Sequence, residues 1–215
     1  MPTSPKSGDD ATVVPLPGGR TRPRGAGEGR RGEIVSAAAD FFAEQGYHTV
    51  GMRDIARAVG IRGASLYNHF SSKEEIMYAI ALRMTRELQD QHMPLLDAAG
   101  TPRERLANLM RAHILSLAEH QTEHLVSLRE QTALTPEHLA EITDIRKYYQ
   151  RRVRDVIAAG VAAGEFHTGN PHQAAVAILD MMNGISWWLH DGENVAALAD
   201  TYTSYALDGV LQSGS

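Results

Sequence analysis

The chain has 215 residues, 43% of them hydrophobic and 22% charged, which is typical of a folded globular protein. It contains no cysteine, which excludes disulfides, thiolate metal sites and a cysteine nucleophile and favours a reducing cytoplasm. There is no apolar run of about 18 residues and no apolar signal-peptide core, so we expect neither a membrane span nor secretion. The net charge of −5 disfavours a nucleic-acid partner unless the basic residues are concentrated in one region.

The basic residues are in fact concentrated between residues 51 and 73. This segment has four basic residues and one acidic residue, whereas residues 81–215 have 11 Lys and Arg against 17 Asp and Glu. Ionic screening confines the effect of a charge to about 8–10 Å. The local excess can therefore attract DNA although the chain as a whole is acidic.

Residues 1–28 are rich in Pro, Gly, Ser and Arg and have no apolar periodicity, so we predict a disordered arm. The arginines in and just after this arm either contact DNA, along its phosphates or in a minor groove, or belong to a solvated tail. These residues are Arg20, Arg22, Arg24, Arg30 and Arg31.

The remaining sequence has helical periodicity and no strand alternation, so it predicts an all-α protein. A first helix is expected over Gly29–Gln45, ended by Gly46, in a small three-helix domain over residues 29–74. A helix from Lys73, ended near Pro94, is expected to link this domain to the rest of the chain. Further helices are predicted over residues 102–120, 123–134, 136–163, 171–190 and 193–212.

Residues 52–70 are the most informative segment, because two short helices with a turn at Gly60 fit them. Leu66 and Phe70 give the second helix an inward face. The outward residues are Gly63, Ala64, Ser65, Tyr67, Asn68 and His69. A polar, acid-free face suits the DNA major groove, although an ordinary helical hairpin with a polar surface has the same pattern.

This segment and its surroundings resemble the tetracycline-repressor (TetR) family of bacterial regulators. The resemblance extends over about residues 30–80 and depends on the runs 38–47, 53–56, 59–61, 65–70 and 72–75. It implies a transcriptional regulator rather than an enzyme, with an N-terminal helix-turn-helix domain and no cofactor. It also implies that residues 75–215 form a helical domain that binds a small-molecule effector and dimerises, so that two recognition helices read a palindromic operator.

The resemblance also assigns roles within the helix-turn-helix. It implies that Gly63, Ala64, Ser65 and Asn68 face bases, whereas Tyr67, His69 and Lys73 hold the DNA backbone. Arg53 lies in a matched run and joins the predicted DNA-binding surface. For His69 the alternative is a structural cap.

Two residues depart from the family pattern. Gly51 stands where the family usually has Thr or Ser, so a hydroxyl cap is missing, which costs a few tenths of a kcal/mol. Arg62 stands where the family usually has Ser before the recognition helix. Arginine caps a helix poorly but can bind a phosphate or a guanine edge, so we predict a direct DNA contact for Arg62.

The C-terminal part offers candidates for an effector pocket and for a dimer interface. The candidate pocket residues are Met84, Met110, His113, Tyr149, Arg152, Met181 and Trp188, and they equally fit a plain core. The basic residues around 146–154 either form a solvated face or favour an anionic effector. The segment 187–192 resembles that of TetR relatives that respond to acyl-coenzyme A thioesters, whereas the methionines and aromatics fit a neutral apolar compound or a plain core. The last two helices are expected to form the dimer interface, with Ile178, Ile185, Leu198, Tyr202 and Tyr205 as candidates.

Two other functions remain open from the sequence. His120, Glu123 and His124 match the zinc-hydrolase pattern H-x-x-E-H, although no third ligand is evident. The simpler interpretation of this pattern is that Glu119 and Glu123 are ordinary surface residues at a break between two helices. The second alternative is a DNA-binding architectural protein without an effector.

Overall fold

The computed structural model describes residues 29–212, and within this range the chain forms helices and turns without any strand. The predicted all-α class is therefore confirmed. The predicted arm over residues 1–28, with Arg20, Arg22 and Arg24, lies outside the described residues. No helix within 29–212 is long and apolar enough to cross a membrane.

The first three helices form the predicted helix-turn-helix domain: α1 over Gly29–Gln45, α2 over Met52–Ala58 and α3 over Gly63–Tyr67. The turn between α2 and α3 depends on Gly60, whose φ of +69° is a left-handed conformation that residues with a Cβ rarely adopt. There the Ile61 amide donates to the Ala56 carbonyl at 2.9 Å and closes the end of α2.

Helix α4 spans Lys73–Asp97 and belongs to both halves of the molecule. It begins at Ser72, whose hydroxyl accepts a hydrogen bond from the Glu75 amide at 3.1 Å. The expectation that Pro94 ends this helix is wrong, because the helix continues to Asp97. The proline ring is exposed, while Met93 and Leu96 on either side are buried in the core, and their burial offsets the missing backbone donor.

Five further helices complete the described chain. They are α5 over Pro102–Glu119, α6 over Gln121–Arg129, α7 over Pro136–Ala162, α8 over Pro171–Gly184 and α9 over Val195–Ser204. Three predicted helices are shorter than expected. Helix α6 ends at Arg129 and is followed by a 3-10 turn at Gln131–Ala133, α8 is followed by a 3-10 turn at Ile185–Trp187, and α9 is followed by a π-helical turn at Tyr205–Val210.

Two hydrophobic cores hold these helices. The N-terminal core joins α1–α3 to the first two turns of α4 and also includes Val126 of α6, Leu134 and Ile142 of α7. The C-terminal core is formed by the second half of α4 with α5, α7, α8 and α9. Helices α4, α6 and α7 therefore contribute to the packing of the DNA-binding domain as well as to the C-terminal domain.

The end of α7 contains a close approach that predicts a stability effect. Gly160 packs against the ring of fully buried Phe166, and a Cβ at position 160 would overlap that ring. We expect Gly160→Ala to lower the free energy of unfolding by about 1–3 kcal/mol, because overpacking outweighs the better helix propensity of alanine. Thermal and urea unfolding measure this change.

The control for this substitution is Gly169→Ala. Gly169 is exposed and has open space where a Cβ would stand, so this variant is expected to unfold like the parent protein. Equal stability of the Gly160→Ala variant and the parent would contradict the prediction.

Candidate DNA-binding surface and effector cavity

Helix α3 presents the predicted base-reading face to solvent. Leu66 and Phe70 are buried in the N-terminal core, as the sequence pattern predicts. Ala64 and Asn68 are exposed, Tyr67 is 57% exposed, and Gly63 and Ser65 are half-buried. Helix α3 has only five residues, Gly63–Tyr67, so Asn68 and His69 lie just after its end. The three exposed and two half-buried residues are accessible to a DNA groove to different extents, and their contacts with bases remain predictions.

Two predicted basic contacts flank this face. Arg53 on α2 and Arg62 at the N-terminal end of α3 are both exposed. Arg62 has the extended backbone of an N-cap residue, but its side chain makes no capping hydrogen bond. Its guanidinium is therefore available for DNA, as expected from its poor capping ability.

Lys73 has a structural role that the sequence did not indicate. Its ammonium group donates to the main-chain carbonyls of Tyr47 at 2.7 Å and Val50 at 2.8 Å, and it lies 4.2 Å from the centre of the Tyr47 ring. Partial burial lowers the pKa of Lys73. The side chain thus joins the start of α4 to the turn between α1 and α2. For the predicted phosphate contact, the ammonium group would have to bind the phosphate in addition to these two carbonyls.

His69 also takes part in the packing of the domain. Its carbonyl accepts a hydrogen bond from Arg31 Nη1 at 2.5 Å, and the Arg31 guanidinium lies 3.9 Å from the centre of the Phe70 ring. This contact fixes the turn after α3 against α1. The half-buried His69 side chain remains a predicted backbone contact.

A cavity of about 320 Å³ lies between α4, α5, α6, α7 and α8. Three of the predicted pocket residues line it, namely Met84, His113 and Tyr149. The cavity also has lining residues outside the list of candidate pocket residues. They include Leu88, His124, Leu128, Arg146, Val176, Leu179 and Asn183.

The other four predicted pocket residues do not line this cavity. Met110 is fully buried in the C-terminal core, and Met181 packs against that core. Arg152 forms an ion pair with Asp97 at 2.6 Å, and the ring of Trp188 is 40% exposed. Their assignment to this pocket is therefore wrong, because helical periodicity does not distinguish core positions from cavity positions.

A chain of hydrogen bonds forms one wall of the cavity. The Tyr149 hydroxyl lies 3.1 Å from Nδ1 of His92 and 3.1 Å from Nδ1 of His113, and Nε2 of His113 lies 3.3 Å from Oδ1 of Asn183. Because the Asn183 oxygen can only accept, His113 Nε2 carries the proton and His113 Nδ1 accepts from Tyr149. The Tyr149 oxygen then accepts from His92, so each of these buried contacts is satisfied with neutral histidines.

Burial keeps the histidines of this region neutral. It lowers the pKa of His92 and of His124 to about 4, and it lowers the pKa of His113 well below its usual value. His113 is further disfavoured as a cation by His124 and His92, and His124 by Arg146. The wall is therefore polar but uncharged at neutral pH.

These pKa shifts predict a loss of stability in weak acid. Below about pH 6.5 the unfolded histidines bind protons that the folded ones do not bind until about pH 4, so the free energy of unfolding falls as the pH falls. This destabilisation is absent above about pH 6.5, grows as the pH falls towards 4 and reaches its full size below about pH 4. We expect lower urea midpoints at pH 5 than at pH 7.

The variant His92→Gln is expected to be less stable at pH 7 but to lose less on acidification. The exposed His190 provides the control, because His190→Gln is expected to keep the full pH dependence. The same pH dependence in His92→Gln as in the parent would contradict the assignment.

The three residues of the H-x-x-E-H pattern have separate environments. His120 Nε2 lies 2.9 Å from Glu87, and the carboxylate of Glu123, 3% exposed, forms an ion pair with Arg83 at 2.8 Å. His124 is 4% exposed and faces the cavity, and its Nδ1 atom has no hydrogen-bond partner. An unsatisfied buried atom costs about 1–3 kcal/mol, which makes His124 a candidate for a ligand contact.

The helices around the cavity are bonded directly to the DNA-binding domain. Arg129, the last residue of α6, donates to the carbonyls of Phe42 and Ala43 near the end of α1. Glu74 near the start of α4 binds His138 of α7 at 2.8 Å. A shift of α6 or α7 relative to α4 therefore changes the support of α1 and of the start of α4.

The end of the molecule formed by α8 and α9 exposes aromatic surface. Trp187 and Tyr205 are 59% and 60% exposed, and the rings of Trp188 and Tyr202 lie 6.2 Å apart. Exposed aromatic clusters of this kind are typical of interaction surfaces.

The structure corrects part of the predicted dimer interface. Ile178 and Ile185 have no exposed surface in the single chain, because they belong to its own C-terminal core. Their assignment to the interface is therefore wrong. Leu198 and Tyr202 are half-buried and Tyr205 is exposed, so these three remain predicted interface residues.

Comparison with known families agrees with this architecture. The model of bacterial regulatory proteins of the tetR family matches residues 34–80, and the model of the tetracyclin repressor-like C-terminal domain matches residues 99–210. This chain belongs to the TetR family. Members of this family are DNA-binding transcriptional regulators, not enzymes, and the hydrolase alternative is therefore not favoured.

Several relatives match over nearly their whole length. The HTH-type transcriptional repressor KstR2 of Mycobacterium tuberculosis is 28% identical over 192 residues, which cover 86% of this chain and 94% of the relative. The TetR family regulator PfmR of Thermus thermophilus is 30% identical with a TM-score of 0.77, covering 82% of this chain and 97% of PfmR. The structure of AibR with isovaleryl coenzyme A and operator DNA is 26% identical with a TM-score of 0.76, covering 83% and 98% of the two chains.

Proposed function

We propose that this TetR-family regulator is a repressor that binds a palindromic operator as a homodimer and is released by a small-molecule effector. The proposal gives residues 29–74 the DNA-binding role and residues 75–215 the effector-binding and dimerisation role. The site of action is the operator on the chromosome, in the cytoplasm. The name of KstR2 as a repressor supports the mode of action, and the complex of AibR with a coenzyme A thioester and operator DNA supports ligand control.

The observation that carries the proposal is that α4 and α6 each contact both the DNA-binding domain and the cavity. Helix α4 contributes its first two turns to the N-terminal core and contributes Met84 and Leu88 to the cavity. Helix α6 places His124 at the cavity and Arg129 on the end of α1. A ligand that prefers a different spacing of these helices must also change the position of the DNA-binding domain.

Dimerisation explains how such a small reading surface selects a sequence. One α3 reaches few base pairs, whereas two copies about 34 Å apart read two half-sites on the same DNA face. The exposed aromatic end formed by α8 and α9 supplies a surface that a second copy can cover. We propose Leu198, Tyr202 and Tyr205 as part of that contact.

The effector class follows less directly from the sequence. An acyl-coenzyme A and a neutral apolar compound are both compatible with family membership, and the lining contains apolar and basic residues. The cavity itself favours a ligand-responsive regulator over an architectural DNA-binding protein. An effector can shift the DNA-binding equilibrium only by its differential affinity for the free and DNA-bound forms.

The proposal is tested with duplexes enriched from a random-sequence pool by the purified protein. We expect the enriched duplexes to contain an inverted repeat, to bind two protomers, and to bind less tightly as the salt concentration rises. Sedimentation of the protein and of the complex measures the stoichiometry. A strictly monomeric protein, or the absence of any enriched sequence at low ionic strength, would contradict the proposal.

A further inference from the structure

The cavity contains a cation without a carboxylate partner. Arg146 of α7 lines the cavity, is largely buried, and donates from Nη2 to the carbonyl of Ser127 at 3.0 Å. Among residues 29–212 no carboxylate lies within ion-pair distance of it, and burial lowers the pKa of Arg146. A guanidinium in this environment has lost part of its hydration without gaining a counter-charge, so an anion is its natural partner.

A buried group without a hydrogen-bond partner lies close enough to Arg146 to be influenced by its charge. Nδ1 of His124 is fully buried and has no hydrogen-bond partner, and the ring faces the cavity. Its neighbour His113 is already bonded to Tyr149 and Asn183, so it cannot provide the missing contact. In the tautomer that carries the proton on Nδ1, His124 has a donor that no protein group accepts from.

The larger part of the cavity surface is apolar and is suited to an apolar body. Its apolar side chains are Met84, Leu88, Leu128, Val176 and Leu179. The volume of about 320 Å³ lies at the lower end of the range of about 300–1,000 Å³ that is usual for small-molecule sites. A ligand that fills it is therefore small and mostly hydrocarbon, with its polar end at Arg146 and His124.

We propose that the cavity binds a small apolar monocarboxylic acid as its carboxylate, with the Arg146 guanidinium donating to one oxygen and His124 Nδ1 donating to the other. One carboxylate thereby supplies the counter-charge of Arg146 and the missing partner of His124. This inference names the effector class and rests on the proposed function only in calling the ligand an effector.

Other headgroups satisfy the two residues less well. A thioester or amide carbonyl is neutral, so it leaves the charge of Arg146 without compensation, and the coenzyme of an acyl-coenzyme A would have to remain outside a cavity of this size. An amine adds a second positive charge. At the cavity edge the exposed Lys147 and Asp180 have opposite charges, so they do not reverse the preference set by Arg146.

The test is calorimetric titration of the full chain with straight, branched and cyclic monocarboxylic acids of four to ten carbons. Each acid is compared with its primary amide and its coenzyme A thioester. We expect at least one acid to bind, and its amide and thioester to bind about tenfold to a hundredfold more weakly, because a charge-assisted hydrogen bond is lost.

Two variants locate the carboxylate. Arg146→Met is expected to weaken acid binding about tenfold or more and to leave amide binding unchanged, and His124→Leu is expected to weaken acid binding to a smaller extent. The matched control is Arg151→Met, which removes the same charge from an exposed position of α7 that does not line the cavity. Circular dichroism verifies the fold of each variant, and Arg146→Lys, which keeps the charge, is expected to retain part of the affinity.

Three results would overturn the inference: no acid of the panel binds, the amides or thioesters bind as tightly as the acids, or Arg146→Met and Arg146→Lys bind the acid like the parent. Operator binding of the ligand-free protein is measured separately. A protein that binds an acid through Arg146 but binds no DNA retains the ligand assignment and loses the proposed function. A protein that binds DNA but no acid retains the proposed DNA-binding role and loses the ligand assignment.

Discussion

Replacement of Arg62 by alanine is expected to lower the affinity for operator DNA about 5- to 150-fold, which corresponds to about 1–3 kcal/mol. Arg62 is exposed at the start of α3 and makes no capping hydrogen bond, so its guanidinium is available to a phosphate or to a guanine edge. Fluorescence anisotropy with an enriched duplex measures the affinity.

Whether Arg62 contacts a base or a phosphate is decided by how the affinity of the Arg62→Ala variant depends on the DNA sequence. If Arg62 binds a guanine, the Arg62→Ala variant loses discrimination at one base pair of each half-site, whereas a phosphate contact weakens all sequences alike. The control is Arg154→Ala, because Arg154 is distant in sequence from the helix-turn-helix and forms an ion pair with Asp155. Unchanged affinity of the Arg62→Ala variant would remove the predicted DNA contact.

Replacement of Arg83 by methionine is expected to lower the free energy of unfolding by about 3–5 kcal/mol. Arg83 of α4 lies 2.8 Å from the carboxylate of Glu123 of α6, and the Glu123 side chain is almost fully buried. Removing the guanidinium leaves the carboxylate buried without this counter-charge. Urea unfolding at pH 7 measures the loss.

A matched double variant separates the effect of the lost charge on stability from the effect of altered packing. Arg83→Met together with Glu123→Gln removes both charges and keeps the side-chain volumes similar, so it is expected to recover much of the lost stability. The exposed pair of Arg86 and Glu141 is the control, and Arg86→Met is expected to cost at most about 1 kcal/mol. Equal effects of Arg83→Met and Arg86→Met would contradict the burial argument.

Local sequence signals predicted the end of a helix well where a residue at that position, such as a glycine, stops the helix. Helix α1 begins at Gly29 and ends at Gln45 as expected, because Gly46 provides the left-handed residue after it. The same reasoning failed at Pro94, where burial of the neighbouring residues in the core keeps the helix intact. A local rule cannot include a gain that comes from tertiary packing.

The candidate sites show the same limit. Met84 and Met110 both have the spacing of inward helix positions, yet only Met84 lines the cavity. The distinction depends on where five helices leave space between them, which periodicity does not contain. His124 was assigned to a metal pattern, and only its burial and unpaired nitrogen indicate a ligand contact.

The bond between α6 and α1 has a consequence for how such a regulator diversifies. Arg129 binds main-chain carbonyls, which are present whatever side chains α1 carries. Substitutions on the outward face of α3 or on the cavity wall leave this connection in place. New operator sequences and new chemical signals can therefore be acquired independently, while the mechanical linkage between them is inherited unchanged.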